Sequence, residues 1–161
     1  MRVSDRAGDG GGNGQMKIRL MQIDDYDKVY NLWLNCSGMG LNNLDDSREG
    51  IERYLNRNPE TCFVAEDGNN IVGVIMAGHD GRRGTIHHTA VHPEYRHCGI
   101  GKALVEKVLV ALKRQSIHKV NLVVFERNED GNAFWERMCF TDRPDLVYRN
   151  RALSELERID T

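Results

Sequence analysis

The chain has 161 residues, a formal charge of −2 and 29% charged residues, the dimensions of one domain with a substantial core. So balanced a charge argues against a nucleic-acid surface, and no apolar run approaches the ~18 residues of a membrane span. The four cysteines, Cys36, Cys62, Cys98 and Cys139, are scattered without a C-x-x-C pair, so they read as reduced cytoplasmic thiols, neither a disulfide framework nor a zinc site.

Residues 1–15 hold five glycines between positions 8 and 14, with no apolar signal core. Export is therefore not expected, and such a segment cannot offset its ordering entropy, so residues 1–15 are expected to be disordered and 16–161 to form the domain. Lys17 to Gln22 alternates, with Ile18 and Leu20 on one face, and predicts a strand. Asp24 and Asp25 are placed to cap a helix carrying Val29, Leu32, Trp33 and Cys36, which Gly38 and Gly40 end. A second helix is expected from about Asp46, with Glu49 completing a capping box and Pro59 marking the exit. Cys62–Glu66 and Asn70–Gly78 predict two strands joined by the hairpin turn Asp67-Gly68-Asn69. His79 to Gly84 reads as a second turn.

The stretch Thr85 to Leu112 organises the rest. Thr85 to Val91 is a β-branched, alternating run that Pro93 stops. Strict alternation puts Thr85, His87, Thr89 and Val91 on one face and Ile86, His88, Ala90 and His92 on the other. From Ile100 the period lengthens, and Ile100, Leu104, Val108 and Leu112, with Val105 and Leu109 beside them, mark a helix. Arg96, His97, Cys98, Gly99, Ile100, Gly101 and Lys102 lie between the two. A helix start offers unpartnered N–H groups and partial positive charge, two glycines clear side chains away, and Arg96 and Lys102 add charge, a combination suited to a pyrophosphate. The spacing is too short for a Walker loop, and Leu104 stands where a dinucleotide fingerprint needs glycine.

Downstream, the nearly continuous apolar run Lys119–Phe125 predicts a buried strand and Asn128–Met138 a short helix. Leu146–Tyr148 reads as a last strand and Ala152–Ile159 as a charged helical turn or tail. The two histidines on one face, His88 and His92, are ~13 Å apart on a strand, too far for one ion, so no metal site is expected.

The order strand, VHPEYR, Gly99-x-Gly101-Lys102-Ala103 and apolar helix resembles the acetyl-coenzyme A loop of the GCN5-related N-acetyltransferases (GNAT), and GVIMAGHDGRRG before it resembles the bacterial YpeA-like and RimI-like branch. The resemblance spans essentially residues 16–150. It implies an α/β fold, a central mixed sheet of six to seven strands flanked by about four helices. It also implies transfer of an acetyl group from acetyl-coenzyme A to a primary amine by direct attack. The acceptor would be a small amine or a peptide amine, either a protein N-terminus or a lysine, with homodimers common in the family. Ala90, Val91 and His92 would bind the pantetheine arm through their backbone, and the loop from Arg96 to Lys102 the pyrophosphate.

In some members a base or water-relaying residue stands four before the valine, here His87; its alternative is a half-buried packing residue. His88, on the opposite face, reads as structural. A second motif keeps Asn128, Phe134, Glu136 and Phe140, with Asn128 as either a pantetheine contact or a turn former. Trp135 stands where the family usually has its tyrosine acid, and Cys139 replaces a glycine. An indole N–H can donate to sulfur or pack on pantetheine but delivers no proton. Tyr148 is a distant candidate acid, and unassisted thiolate departure is the alternative. A non-catalytic acyl-coenzyme A-binding module is the rival that Trp135 motivates. Acceptor choice would lie in residues 24–58, where Asp45, Asp46 and Glu49 gather negative charge near Tyr26, Tyr30 and Trp33.

Overall fold

A computed structural model describes residues 16–159; the expectation for residues 1–15 lies outside them. The strands are β1 (Lys17–Leu20), β2 (Phe63–Asp67), β3 (Asn70–His79), β4 (Gly84–Val91) and β5 (Val120–Asn121). The helices are α1 (Tyr26–Leu34), α2 (Arg48–Arg57), α3 (Ile100–Arg114) and α4 (Glu129–Arg137). Strand order in the sheet equals chain order; β1 to β4 pair antiparallel and β5 runs parallel to β4.

Hairpin chemistry sets the centre of the sheet. Gly68, at φ +61°, turns β2 into β3, with Asp67 and Asn70 paired at the closing position. At the next turn Asp80 Oδ1 accepts the N–H groups of Arg82 and Arg83, both at 2.8 Å. The two sheet faces then take different helices. Val64, Val74, Met76 and Ala90 pack under α1 and α2 with Val29, Leu32, Trp33, Ile51 and Leu55. Phe63, Ala65, Ile75, Ala77 and Ile86 pack under α3 with Ile100, Leu104, Val105, Val108 and Leu112. Each fully buried Leu, Ile or Val side chain contributes about 1.5–3 kcal/mol against leaving it in water, so the α3 stripe is a large part of the second core.

The helix starts differ from the sequence reading. Asp25 occupies the residue before α1, but its carboxylate takes both guanidinium nitrogens of Arg19, at 2.7 and 2.8 Å, and the Gln22 N–H at 2.8 Å. Arg19 also reaches Glu66 at 3.0 Å, which ties β1 to β2 and to the entry of α1. The cap of α2 is Ser47, one residue later than expected: its Oγ accepts the Gly50 N–H at 3.0 Å. Asp46 is thereby released for another contact.

The sheet has five strands among the described residues, fewer than the six to seven expected. The run Lys119–Phe125 pairs with β4 only at Val120 and Asn121; Leu122 and Val124 lean on the core while Val123 is 69% exposed. No strand lies on its far side among the described residues, so period-two burial replaces burial on both faces. Leu146–Tyr148 is irregular and exposed. The tail forms no helix; it clips to the loop before α2 through an Asn42–Arg158 bridge, with the Asn43 N–H donating to the Glu157 carbonyl at 3.0 Å. No helix among the described residues is long and apolar enough to cross a membrane.

Candidate active site

Strand β4 carries a bulge. Its pairing with β3 runs Gly73–Val91 and Val74–Ala90, then resumes at Met76–His87 and Ala77–Ile86. His88 and Thr89 therefore stand opposite Ile75 alone, and His88 takes φ +45°. An inserted residue resets the alternation of side chains. Strict alternation put Ile86 and Ala90 on one face, but Ile86 lies in the α3 core and Ala90 in the α1–α2 core. Across the bulge His87 and His88 both face α1 and α2: His87 stands edge-on to Tyr54 at 5.8 Å and His88 edge-on to Trp33 at 5.1 Å, with 6.3 Å between the imidazoles. The expected separation of the two histidines onto opposite faces is thus corrected.

His88 is the better anchored of the pair. Its Nε2 lies 2.6 Å from Oδ1 of Asp46, a carboxylate with 3% of its side chain exposed. The other carboxylate oxygen accepts the Asn42 N–H at 2.8 Å, and the Asp46 carbonyl accepts the Tyr26 hydroxyl at 2.6 Å. Asp46 and the fully buried Trp33 are thus not part of an acidic surface mouth; they form the backing of the histidines. Burial, helped by the neighbouring His88, holds the His87 imidazole below its ordinary pKa, with Asp46 and Asp45 pulling the other way. His87 is thereby biased toward its neutral form. The indole N–H of Trp33 and the hydroxyls of Tyr54 and Thr89 are buried without a hydrogen-bond partner among the described residues.

Beyond Thr85–Asn121 the ladder between β4 and β5 ends, so the stretch Ile86–Val91 has no strand partner on that side among the described residues. The Val91 carbonyl is met by Cys36 Sγ at 3.6 Å and Arg96 Nε at 3.3 Å. His92 caps a short 3-10 turn, its Nδ1 accepting the Glu94 N–H at 3.2 Å, and Tyr95 in that turn donates to Asp67 at 2.7 Å. His97 and Gly99 both have positive φ, 63° and 82°, and this left-handed turn aims the chain into α3. Cys98 and Lys102 are exposed, and no acidic residue occupies the first turn of α3.

The two loop glycines differ. A side chain at Gly99 would meet nothing within 4 Å, whereas one at Gly101 would press on the Phe134 ring at 3.2 Å. Gly99 leaves open space for a ligand; Gly101 also seats α4 against α3. The free N–H groups of Ile100 onward, the open Gly99, and Arg96 and Lys102 suit a pyrophosphate, and the unpaired edge of β4 suits an amide-bearing arm. The donor set fits coenzyme A.

The second motif lies on α4. Asn128 Oδ1 caps that helix by accepting the Gly131 N–H at 2.9 Å. Trp135 is 9% exposed, edge-on to Phe134 at 4.9 Å and Phe140 at 5.1 Å, a core residue of the α3 side. Tyr148 is 70% exposed in irregular chain, where no packing fixes its hydroxyl. A groove of about 620 Å³ opens beside this motif, between Ser37 and Gly38 after α1 and Phe125, Arg127 and Asn128. No cluster of three or more metal-ligating side chains occurs among the described residues.

Residues 26–140 match the model of the acetyltransferase (GNAT) family. An acetyltransferase of Yersinia pestis (strain Pestoides F) is 34% identical over 142 residues, covering 88% of this chain and 99% of the relative. The PaiA N-acetyltransferase of Thermoplasma acidophilum in complex with coenzyme A superposes with a TM-score of 0.68 at 18% identity, over 77% of this chain and 88% of that one. The ribosomal-protein-S18-alanine N-acetyltransferase of Escherichia coli gives a TM-score of 0.66 at 18% identity, over 80% and 79%. On the family match and the length of the shared sequence, the chain belongs to the GNAT family and is an N-acetyltransferase.

Proposed function

We propose that the protein moves an acetyl group from acetyl-coenzyme A to a primary amine, with the loop from Arg96 to Lys102 as the pyrophosphate site. The observation that carries this reading is the start of α3: a left-handed Gly99 with open space beside it, basic residues on both sides and no acid in the first turn. Ile100, Gly101 and Lys102 offer backbone N–H groups there, and Arg96, His97 and Cys98 form the approach. Ala90, Val91 and His92 border the unpaired edge of β4 and would hold the arm through main-chain groups. The bound cosubstrate supplies an activated carbonyl; the protein supplies orientation and a place for the amine proton. That place is the histidine face of β4, where the family resemblance puts the base at His87. Asn128 and Trp135 support the site through α4.

The leaving thiolate departs without a protein acid in this reading. Trp135 is packed in the core, and Tyr148 is exposed and unfixed. An ordinary thiol pKa of ~8.5 makes the thiolate a tolerable leaving group near neutrality. Acceptors are amines of proteins or small molecules.

Thermal unfolding with acetyl-coenzyme A, free coenzyme A or ATP tests the loop, and thiol release with spermidine, tyramine and an alanine-initiated peptide tests the transfer. Ligand at ~100 times its dissociation constant adds about 2.7 kcal/mol. A shift with both coenzyme A forms and not with ATP is the expected result. No shift at millimolar ligand in folded protein would overturn the reading.

A further inference from the structure

The bulge gives β4 a second histidine on the substrate face, and the fold invests more in that one. His87 is positioned by ring contacts alone among the interactions described above, while His88 is clamped between the Asp46 carboxylate and the Trp33 ring. Asp46 does not cap α2, since Ser47 does so. Its two carboxylate oxygens are committed to His88 and to the Asn42 N–H, and burying a carboxylate is unfavourable unless such partners hold it. A bulky residue at φ +45° is also unfavourable, and backbone strain of this kind clusters at functional sites.

The arrangement has a chemical direction. With a carboxylate as its partner, Nε2 carries the ring proton, a tautomer assigned from the hydrogen bond, and Nδ1 keeps its lone pair. The side chain of His88 remains 18% exposed, so it is not sealed from solvent. Beside the pair lie three buried polar groups, the indole N–H of Trp33 and the hydroxyls of Tyr54 and Thr89, with no hydrogen-bond partner among the described residues.

We propose that His88 accepts the amine proton through Nδ1, with Asp46 as its positioning residue and His87 lining the approach. The inference rests on the acetyl-transfer reading. A proton passes from nitrogen to Nδ1 as the nitrogen pair forms the C–N bond. The C–S bond breaks with its pair on sulfur, and the proton held by His88 then leaves to the thiolate or to solvent. Asp46 stabilises the imidazolium formed between these events. The low ionisation tendency of His87, set among His88, Asp45, Asp46 and Tyr54, keeps the approach uncharged.

The test compares His88→Gln, His88→Ala, Asp46→Asn and the Asp46→Asn/His88→Gln double variant, with nitrogen-15 NMR of the ring in wild type. General-base loss of roughly 100-fold or more in kcat is expected for His88→Gln, with the KM for acetyl-coenzyme A within about twofold. Asp46→Asn favours the wrong tautomer and should also lower kcat, and the double variant should be no worse than His88→Gln. Added imidazole should restore part of the activity of His88→Ala. NMR should show a protonated Nε2 and a bare Nδ1. Turnover of folded His88→Gln near wild type, or a protonated Nδ1 in wild type, overturns the assignment to His88. A wild type that binds acetyl-coenzyme A but acetylates no amine in the panel counts instead against the transfer reading on which the inference rests. Loss of the acetyl-coenzyme A thermal shift in wild type would instead overturn the underlying function.

Discussion

Gly73 in β3 lies where the sheet meets the first turn of α3, and Gly73→Ala turns that contact into a measurable strain. The new Cβ would sit 3.0 Å from Ile100 Cγ2, 3.0 Å from Leu104 Cδ1 and 3.3 Å from Ala65 Cβ. Carbon pairs rest at about 3.5–4.0 Å, so three contacts are short at once. None is the end of a long, flexible side chain, because Leu104 is fully buried and Ile100 nearly so. Helix α3 must withdraw by about half an ångström or its side chains must leave their rotamers. Overpacking of this kind costs about 1–3 kcal/mol. Lower unfolded-state entropy returns about 0.4–1 kcal/mol, so a net loss of about 1–2 kcal/mol is expected. At about 2–4 °C per kcal/mol for a domain of this size, Tm should fall by roughly 2–8 °C. Urea unfolding of Gly73→Ala, Leu104→Ala and the double variant checks the cause. Leu104→Ala alone should cost about 2–5 kcal/mol, and the double variant should lose clearly less than the sum, because the truncated leucine makes room. A Gly73→Ala protein as stable as wild type, or strict additivity, would refute the packing argument.

Two further outcomes follow from the ion cluster and the thiols. Burial works to raise the Asp25 carboxyl, but the hydrogen bonds from Arg19 and the Gln22 N–H outweigh it and hold the group below the usual carboxylate range. A depressed carboxylate stabilises the fold above its unfolded pKa of ~3.9 and loses that contribution as pH falls through the native value. The stability gap between wild type and Asp25→Asn should therefore be full at pH 6 and shrink below pH 4; a constant gap would count against the pairing. Of the four cysteines, exposed Cys98 and Cys139 should react quickly with a thiol reagent. Cys36 and Cys62 should react only on unfolding, burial having pushed the Cys62 thiol up to about 12 and raised Cys36; a third fast thiol in the native protein would contradict this.

Periodic signals carried well from sequence to structure. The α3 stripe, the Asp67-Gly68-Asn69 hairpin and the glycine-rich entry to α3 all stand within a residue or so of their expected places, because each is set by local chemistry. The loop proposed to hold the pyrophosphate has its expected place between β4 and α3 for the same reason. The faces of the β4 histidines were not legible in this way. Alternation assigns faces correctly only while every residue has a partner, and the bulge at His88–Thr89 depends on register with β3, which no local pattern encodes. Asp46 was misassigned because two adjacent residues, Asp46 and Ser47, can each cap α2, and its contact with His88 spans 42 positions. The adjacent histidines in a β-branched strand were the one available hint. At β5 an apolar run was read as buried on both faces, whereas an edge strand needs burial on one.

The order of strands in the sheet also bears on how the protein folds. β2, β3 and β4 are joined by short turns, so their closures cost little chain entropy, whereas β1 and β5 return only after excursions through helices. Local hairpins are therefore expected to form ahead of the crossover that brings α3 and β5 back to β4. The edge of β4 that waits for this late arrival is the edge left largely unpaired in the finished sheet. A ligand seated there would span the early-forming hairpins and the late-docking helix, and so should slow unfolding by holding together the two parts that separate first.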